Sequence, residues 1–263
     1  MLPQEDNLKE YLDKLYEKYC VPEFIKSDPI QFVYVFDDNM NKEISGFLAS
    51  VMSQGKRKNI ISKTKELIFD VMGGDPLNYI LKFDFQRIGK LEGFSYFSYR
   101  NITGLQLAYI INSLKYVLNK WGSLKNLFYE MYKKNSWYMN IKFALIDVVY
   151  EMFSWSNKIP SDVSSLVPNP SRGSACKRLN MFLRWMVRKD KVDTGLWNDI
   201  IPTSKLVIPL DFHVSKISRE LNLTKRSQDD WITAEEITEK LKVFDPNDPV
   251  KYDFAIFGYG VNK

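Results

Sequence analysis

Apolar residues recur at helical spacing along most of the chain. Ile44, Phe47, Leu48, Val51 and Met52 follow i, i+3, i+4, i+7, i+8, the stripe of one helix face, and predict a helix ending at Gly55. Leu8, Leu12, Leu15 and Tyr19 predict a helix over 5–20, with Asp6 or Asn7 as its cap. Ser27-Asp28-Pro29 starts another, because Pro suits a first helical turn. Further helices are expected from Ile60 to Met72, Thr103 to Leu118, Gly122 through Met131, Trp137 to Trp155 (long and buried), Thr233 to Phe244 and Pro249 to Tyr259. Thr233 and Glu236 have the spacing of a capping box. The stretch 83–99 is aromatic and irregular, and 158–170 reads as the longest loop. Only 206–209 is strand-like. The pattern predicts an all-α chain of roughly ten or more helices with short connections.

The rest is organised around residues 173–221, which read as helix, connector, short extended run, helix. Each residue of a helix turns the side chain by about 100°. Lys177, Arg184 and Arg188 then share one narrow stripe, opposite Leu179, Phe182, Leu183 and Met186, and the helix reads as amphipathic with a solvated basic face. Asp211 follows the apolar run Leu206-Val207-Ile208-Pro209 and opens the second helix. Aspartate is a preferred N-cap, since its carboxylate accepts orphan backbone N–H groups. A carboxylate fixed there also suits the stabilisation of a developing cation.

Composition narrows the partners. The chain has 263 residues, 37 Lys+Arg against 32 Asp+Glu and a net charge of +5, which permits nucleic-acid binding without demanding it. Gln54-Gly55-Lys56-Arg57-Lys58 opens a predicted helix, where backbone N–H groups and three cations favour a phosphate. With two cysteines, Cys20 and Cys176, and one histidine, His213, there is no metal-ligand spacing, no disulfide framework and no four-cysteine cluster. No metal or cofactor is expected. The opening MLPQEDNLKEYL lacks a signal layout, and no run approaches the roughly 20 apolar residues of a membrane span, so a cytoplasmic protein is expected. A monomer is expected.

Two segments are similar to a known superfamily. Ile208-Pro209-Leu210-Asp211-Phe212-His213-Val214, with Ser215 to Leu223 after it, resembles the V-D-T-H-V … R-L-G-L segment of helix-hairpin-helix DNA glycosylases such as endonuclease III and the 8-oxoguanine glycosylases. Phe47 to Gln54 resembles their LL-x-x-x-LS-x-Q segment. Over nearly its full length the chain resembles a bacterial family carried as a domain of unknown function. The familiar L-P-G-V-G-x-K-T-A hairpin is replaced by residues 167–177, without its glycine pair. The Lys177–Asp211 separation, 211 − 177 = 34, is nearer the archaeal 8-oxoguanine glycosylase branch.

The resemblance implies two helical subdomains flanking a cleft. The expected division is 1–42 packing with the C-terminal part, 43–205 as the central subdomain, and 206–263 carrying the aspartate. It implies base-excision repair of double-stranded DNA carrying a damaged base, such as an oxidised purine, with AP-lyase activity. Lys177 matches the nucleophilic lysine, Asp211 the essential aspartate, and Gln54 the residue that fills the gap left by a flipped nucleotide. His213 matches a structural position two residues after the aspartate. Lys56, Arg57, Lys58, Arg172, Arg184 and Arg188 are candidate DNA contacts. Phe94, Tyr96, Phe97 and Trp185 are candidates for the base pocket. Arg172 and Arg178 are candidate cations that help the lysine shed its proton. The alternative is a non-catalytic nucleic-acid-binding protein on the same fold, and a duller one is a helical adaptor.

Overall fold

The computed structural model describes residues 7–86 and 96–262. The chain is all-α, with thirteen α-helices among the described residues. The order is α1 Leu8–Tyr19, α2 Glu23–Lys26, α3 Asn39–Met52, α4 Arg57–Lys65, α5 Pro76–Lys82, α6 Gly104–Trp121, α7 Leu124–Lys134, α8 Lys142–Phe153, α9 Ser161–Ser164, α10 Lys177–Val187, α11 Phe212–Glu220, α12 Trp231–Lys242 and α13 Tyr252–Asn262. The chain divides into two compact units, one of residues 1–26, 135–143 and 169–263, the other of 27–134 and 144–168. These cuts differ from the expected boundaries after 42 and 205. Lys177 and Asp211 both lie in the first unit.

In the first unit α13 packs against α1 and against α11. Its interior is built on Leu12, Phe182, Trp185, Trp197, Trp231, Tyr252 and Phe254, all nearly inaccessible to solvent. Gly258 and Gly260 let the partners approach α13. A Cβ at Gly258 would overlap the ring of Tyr19, and one at Gly260 would sit 3.1 Å from both His213 Cβ and Ile217 Cγ1. The run 206–209 is buried and pairs with no strand among the described residues. Instead the Ile208 N–H donates to Thr238 Oγ1 at 3.0 Å, so a side chain takes the place of a ladder. Helix α12 is capped by Asp230, which accepts from the Thr233 N–H at 2.9 Å. Thr233 is therefore inside the helix, and the expected capping box at Thr233–Glu236 is not its start.

The second unit centres on α3 and α6. Asp38 caps α3 through the Asn41 N–H, and Ile44, Phe47, Leu48, Val51 and Met52 are all buried as their spacing predicts. Helix α6 starts with a reciprocal capping box between Thr103 and Gln106. The helix expected from Ile60 to Met72 changes form within its length, α-helical to Lys65 and π-helical over Glu66–Val71. Ser27-Asp28-Pro29 opens a 3-10 turn, Pro29–Val33, rather than an α-helix. Ser98–Tyr99 and Ile102–Thr103 form the one sheet among the described residues, an antiparallel hairpin.

The helix expected from Trp137 begins only at Lys142, and Trp137 is 72% exposed. Residues 135–141 form a loop instead, in which the Lys205 ammonium donates to the Ser136 and Tyr138 carbonyls at 3.1 and 2.6 Å.

Candidate functional site

The site is built on two helix starts. The segment before α10 turns through a 3-10 element, Pro170–Arg172, whose cap Asn169 accepts from the Ser171 N–H at 2.8 Å. Gly173 takes φ +80° and Cys176 φ +49°, so the backbone reverses into the left-handed region twice before the helix begins. Lys177 is the first residue of α10. Asp211 is the N-cap of α11. Its Oδ1 accepts from the Val214 N–H at 2.9 Å. Its Oδ2 lies 4.0 Å from Lys177 Nζ. Both side chains are partly open to solvent, 31% for Lys177 and 19% for Asp211. An amine and a carboxylate thus stand together at the surface of one unit, each fixed by the start of a helix.

Phe212, next to Asp211, is 70% exposed. Its ring stands edge-on to His213, which in turn meets Phe257 edge-on. His213 Nδ1 lies 3.2 Å from the Gly260 carbonyl oxygen, tying α11 to α13. The resemblance of residues 208–214 gave Phe212 no role, and its adjacency to Asp211 was the available signal.

The basic stripe on α10 is real, but most of it faces inward. Arg184 is 5% exposed and Arg188 is 1% exposed. Arg184 Nε lies 3.3 Å from Asp193 Oδ1, and its Nη1 pairs with the Asp253 carboxylate. Arg188 binds both oxygens of Asp248, through Nε at 2.8 Å and Nη2 at 2.9 Å. Its Nη1 also reaches Asp190 at 2.7 Å and Asp193 at 2.5 Å. The guanidinium of Arg184 lies 4.3 Å over the ring of Phe254. These two arginines are therefore not DNA contacts. Carboxylates from the connector and from the α12–α13 region neutralise them inside the unit, as burial of a charge requires.

The buried carboxyls carry the mark of that burial. Asp253 is pushed up to about 6, first by desolvation, with Arg184 pulling it down and the charge of Asp211 pushing it up. Desolvation also lifts Asp193 to about 7 against the pull of Arg184 and Arg188. Burial opposes the charge of Arg188, yet Asp193, Asp248 and Asp190 together hold it well above its ordinary value. Asp253 thus lies in the electrostatic neighbourhood of both Lys177 and Asp211. The sequence reading missed it, since an aspartate near the start of an apolar helix carries no signal of its own.

The other candidates are scattered. Arg172 is exposed on the 3-10 turn before α10. Arg178 is mostly buried, and desolvation lowers it to about 10. Trp185 is fully buried in the first unit, and its Nε1–H finds no acceptor among the described residues, so it cannot line a base pocket. Phe97 is 3% exposed, with the Lys63 ammonium 5.6 Å from its ring centre, and is likewise core. Tyr96 is 86% exposed. Phe94 lies outside the described residues.

In the second unit Gln54 is half-buried and its carbonyl accepts from the Tyr99 hydroxyl. Gly55, at φ +90°, leaves room for the Arg100 side chain. A Cβ there would meet Arg100 Nη1 at 2.6 Å. Lys56 is the N-cap of α4, without a side-chain cap bond, and Arg57 is its first residue. Lys56 and Lys58 are exposed, and neither enters an ion pair among the described residues. This end of α4 is thus a cationic helix start that faces water.

The chain belongs to the family described as "Protein of unknown function (DUF2400)", which matches residues 28–262. No curated protein and no solved structure matches the chain. Among the described residues no helix is long and apolar enough to cross a membrane.

Proposed function

We propose that this chain is a base-excision DNA glycosylase with associated AP-lyase activity, on a fold like that of the helix-hairpin-helix glycosylases. The observation that carries the reading is the approach of Lys177 Nζ to Asp211 Oδ2 at 4.0 Å, at the solvent-open start of two helices. Its substrate is double-stranded DNA with a damaged base. The base leaves the stack at a cost of a few kcal/mol, least at a mismatch or lesion. The resemblance gives Gln54 the role of filling the gap, and gives Lys56, Arg57 and Lys58 of the second unit and Arg172 of the first those of phosphate contacts.

As the glycosidic bond breaks, its electron pair leaves with the base and positive charge grows at C1′. The fixed carboxylate of Asp211 stabilises that charge. The Lys177 amine, having given up its proton, forms a bond to C1′, and the sugar ring opens to a Schiff base. Loss of a C2′ proton then expels the 3′-phosphate, and water releases the lysine. The expelled base stacks on an exposed aromatic ring, for which Phe212 stands nearest Asp211 along the chain.

The test is borohydride trapping on oligonucleotides that carry oxidised or deaminated bases. The expected result is a covalent adduct that disappears in Lys177→Ala. Failure of the unaltered chain to form an adduct or cleave any lesion overturns the proposal.

A second reading, a non-catalytic nucleic-acid-binding protein, is favoured by one observation: the turn before Lys177 is an Asn169-capped 3-10 element rather than a glycine-paired hairpin. Loss of binding in Lys56→Glu, with every measured property intact in Asp211→Asn, would establish that reading instead.

A further inference from the structure

We propose that the loop of residues 135–141 is a stacking platform for the bases of single-stranded nucleic acid, with Trp137 as the ring on which a base lies. The inference stands apart from the Lys177–Asp211 chemistry. It assigns a second surface to the first unit, which contains the whole loop.

The loop is fastened from beneath. The Lys205 ammonium donates to the Ser136 and Tyr138 carbonyls, and the Lys205 carbonyl accepts from the Ile141 N–H at 2.9 Å. Asn140, 6% exposed, donates through Nδ2 to Glu235 Oε1 at 2.5 Å and accepts from the Lys142 N–H at 3.0 Å. Asn140 and Ile141 are thereby plugged into the unit. Trp137 and Met139 stay in solvent, 72% and 73% exposed. A loop tied at this many points presents its indole in a fixed place, so a ligand that lands there orders little further backbone.

The rings of the loop form a short stack. Tyr138 lies 3.9 Å from Phe143 between ring centres, at 26°. Trp137 follows, 5.5 Å and 38° from Tyr138. The stack ends in an exposed indole, and the group that extends a stack is another flat ring.

Charge selects which flat ring. From Met131 to Ile146 the sequence holds Lys133, Lys134 and Lys142 and no Asp or Glu. Lys133 is paired with Glu130. Lys134 is exposed and Lys142 half-buried, and neither enters an ion pair among the described residues. The Lys142 ammonium stands 5.9 Å from the centre of the Trp231 ring, at the foot of the loop. The Glu235 carboxylate that meets the loop is engaged by Asn140. An aromatic tip flanked along the chain by unpaired cations complements a polymer that alternates flat bases with phosphates. Duplex DNA keeps its base faces inside its own stack, so the partner is a single strand.

The test measures, by fluorescence anisotropy, binding of the intact chain to a labelled thymidine strand of about twelve nucleotides, within the site sizes of stacking platforms. A strand of abasic spacers with the same number of phosphates is measured beside it. The parent is expected to bind the thymidine strand about tenfold more tightly than the abasic one. Trp137→Ala is expected to bind both equally, and Trp137→Phe to recover most of the preference. Because the Trp137 ring is in solvent, both variants are expected to keep the melting temperature of the parent.

Equal binding of the two strands by the parent overturns the proposal, as does a preference that survives in Trp137→Ala. A parent that binds neither strand also overturns it. If such a parent sediments with phosphatidylserine vesicles, or self-associates, in a way that Trp137→Ala abolishes, the platform belongs to a lipid surface or to a second copy instead. A chain that cleaves no lesion leaves the strand preference unaffected, so failure of the glycosylase reading and failure of this one are read separately.

Discussion

The two carboxylate oxygens of Asp211 are divided between two tasks: Oδ1 accepts from the Val214 N–H at 2.9 Å, and Oδ2 stands 4.0 Å from Lys177 Nζ. The cap and the ion pair are therefore not competing explanations of this residue. The cap fixes the oxygen that faces the amine. An N-cap is worth about 1 kcal/mol, too little to require an aspartate where asparagine caps as well.

That division can be separated experimentally. Asp211→Asn keeps an oxygen for the Val214 N–H and is expected to lose less than about 1 kcal/mol in urea denaturation. Base release is expected to drop by about a hundredfold or more, the scale of removing an electrostatic stabiliser. A variant as active as the parent on a cleaved lesion would leave Asp211 as a cap only.

Arg188→Ala tests the inward turn of the basic stripe. Removal of a guanidinium that meets Asp190, Asp193 and Asp248 leaves buried carboxylates without a partner, and the expected loss is about 3–5 kcal/mol. A variant of unchanged stability with a weaker, less salt-dependent DNA affinity would return Arg188 to the surface.

Asp253 also predicts a stability–pH relation. Its folded value, about 6, lies above its ordinary 3.8, so the folded state holds the proton more tightly than the unfolded chain. Its contribution is fully present below about pH 4 and is lost as pH rises through 6. The stability of the parent relative to Asp253→Asn is therefore expected to fall between pH 4 and pH 7.5, by on the order of 3 kcal/mol. Denaturant titrations of both proteins at the two pH values decide it, and a difference that grows with pH contradicts the assignment.

Helix α1 is docked on α13 through a position with no room for a side chain. Gly258→Ala drives a methyl group into the ring of Tyr19 and is expected to cost about 1–3 kcal/mol. An unchanged melting temperature would mean that α1 is not held there in solution.

The exposed start of α4 should read as phosphate contacts. Lys56→Glu and Lys58→Glu are each expected to lower DNA affinity uniformly across sequences and to flatten the slope of log K against log salt by about one, with thermal stability unaltered. Affinity and slope unchanged in both would remove this helix start from the DNA-binding reading.

The sequence alone determined most of the helices, because burial on one face imposes a 3.6-residue period, but not their ends: the one expected from Trp137 starts at Lys142, and Pro29 opens a 3-10 turn. The faces of α3 and α6 are legible in that way, as are the cap at Asp211 and the helix start at Lys177, since both depend on residues within one turn. What the sequence left open was which face of α10 meets water. Arg184 and Arg188 lie opposite the apolar residues, as a solvated stripe does, and only Asp193, Asp248 and Asp253, arriving from distant parts of the chain, turn them inward. The same holds for Trp185 and Phe97, whose one-dimensional surroundings do not separate a core ring from a pocket wall. Periodicity is a local property of the backbone; the partner of a charge is not, and tertiary packing alone set the 4.0 Å between Lys177 and Asp211 and paired Arg184 with Asp253.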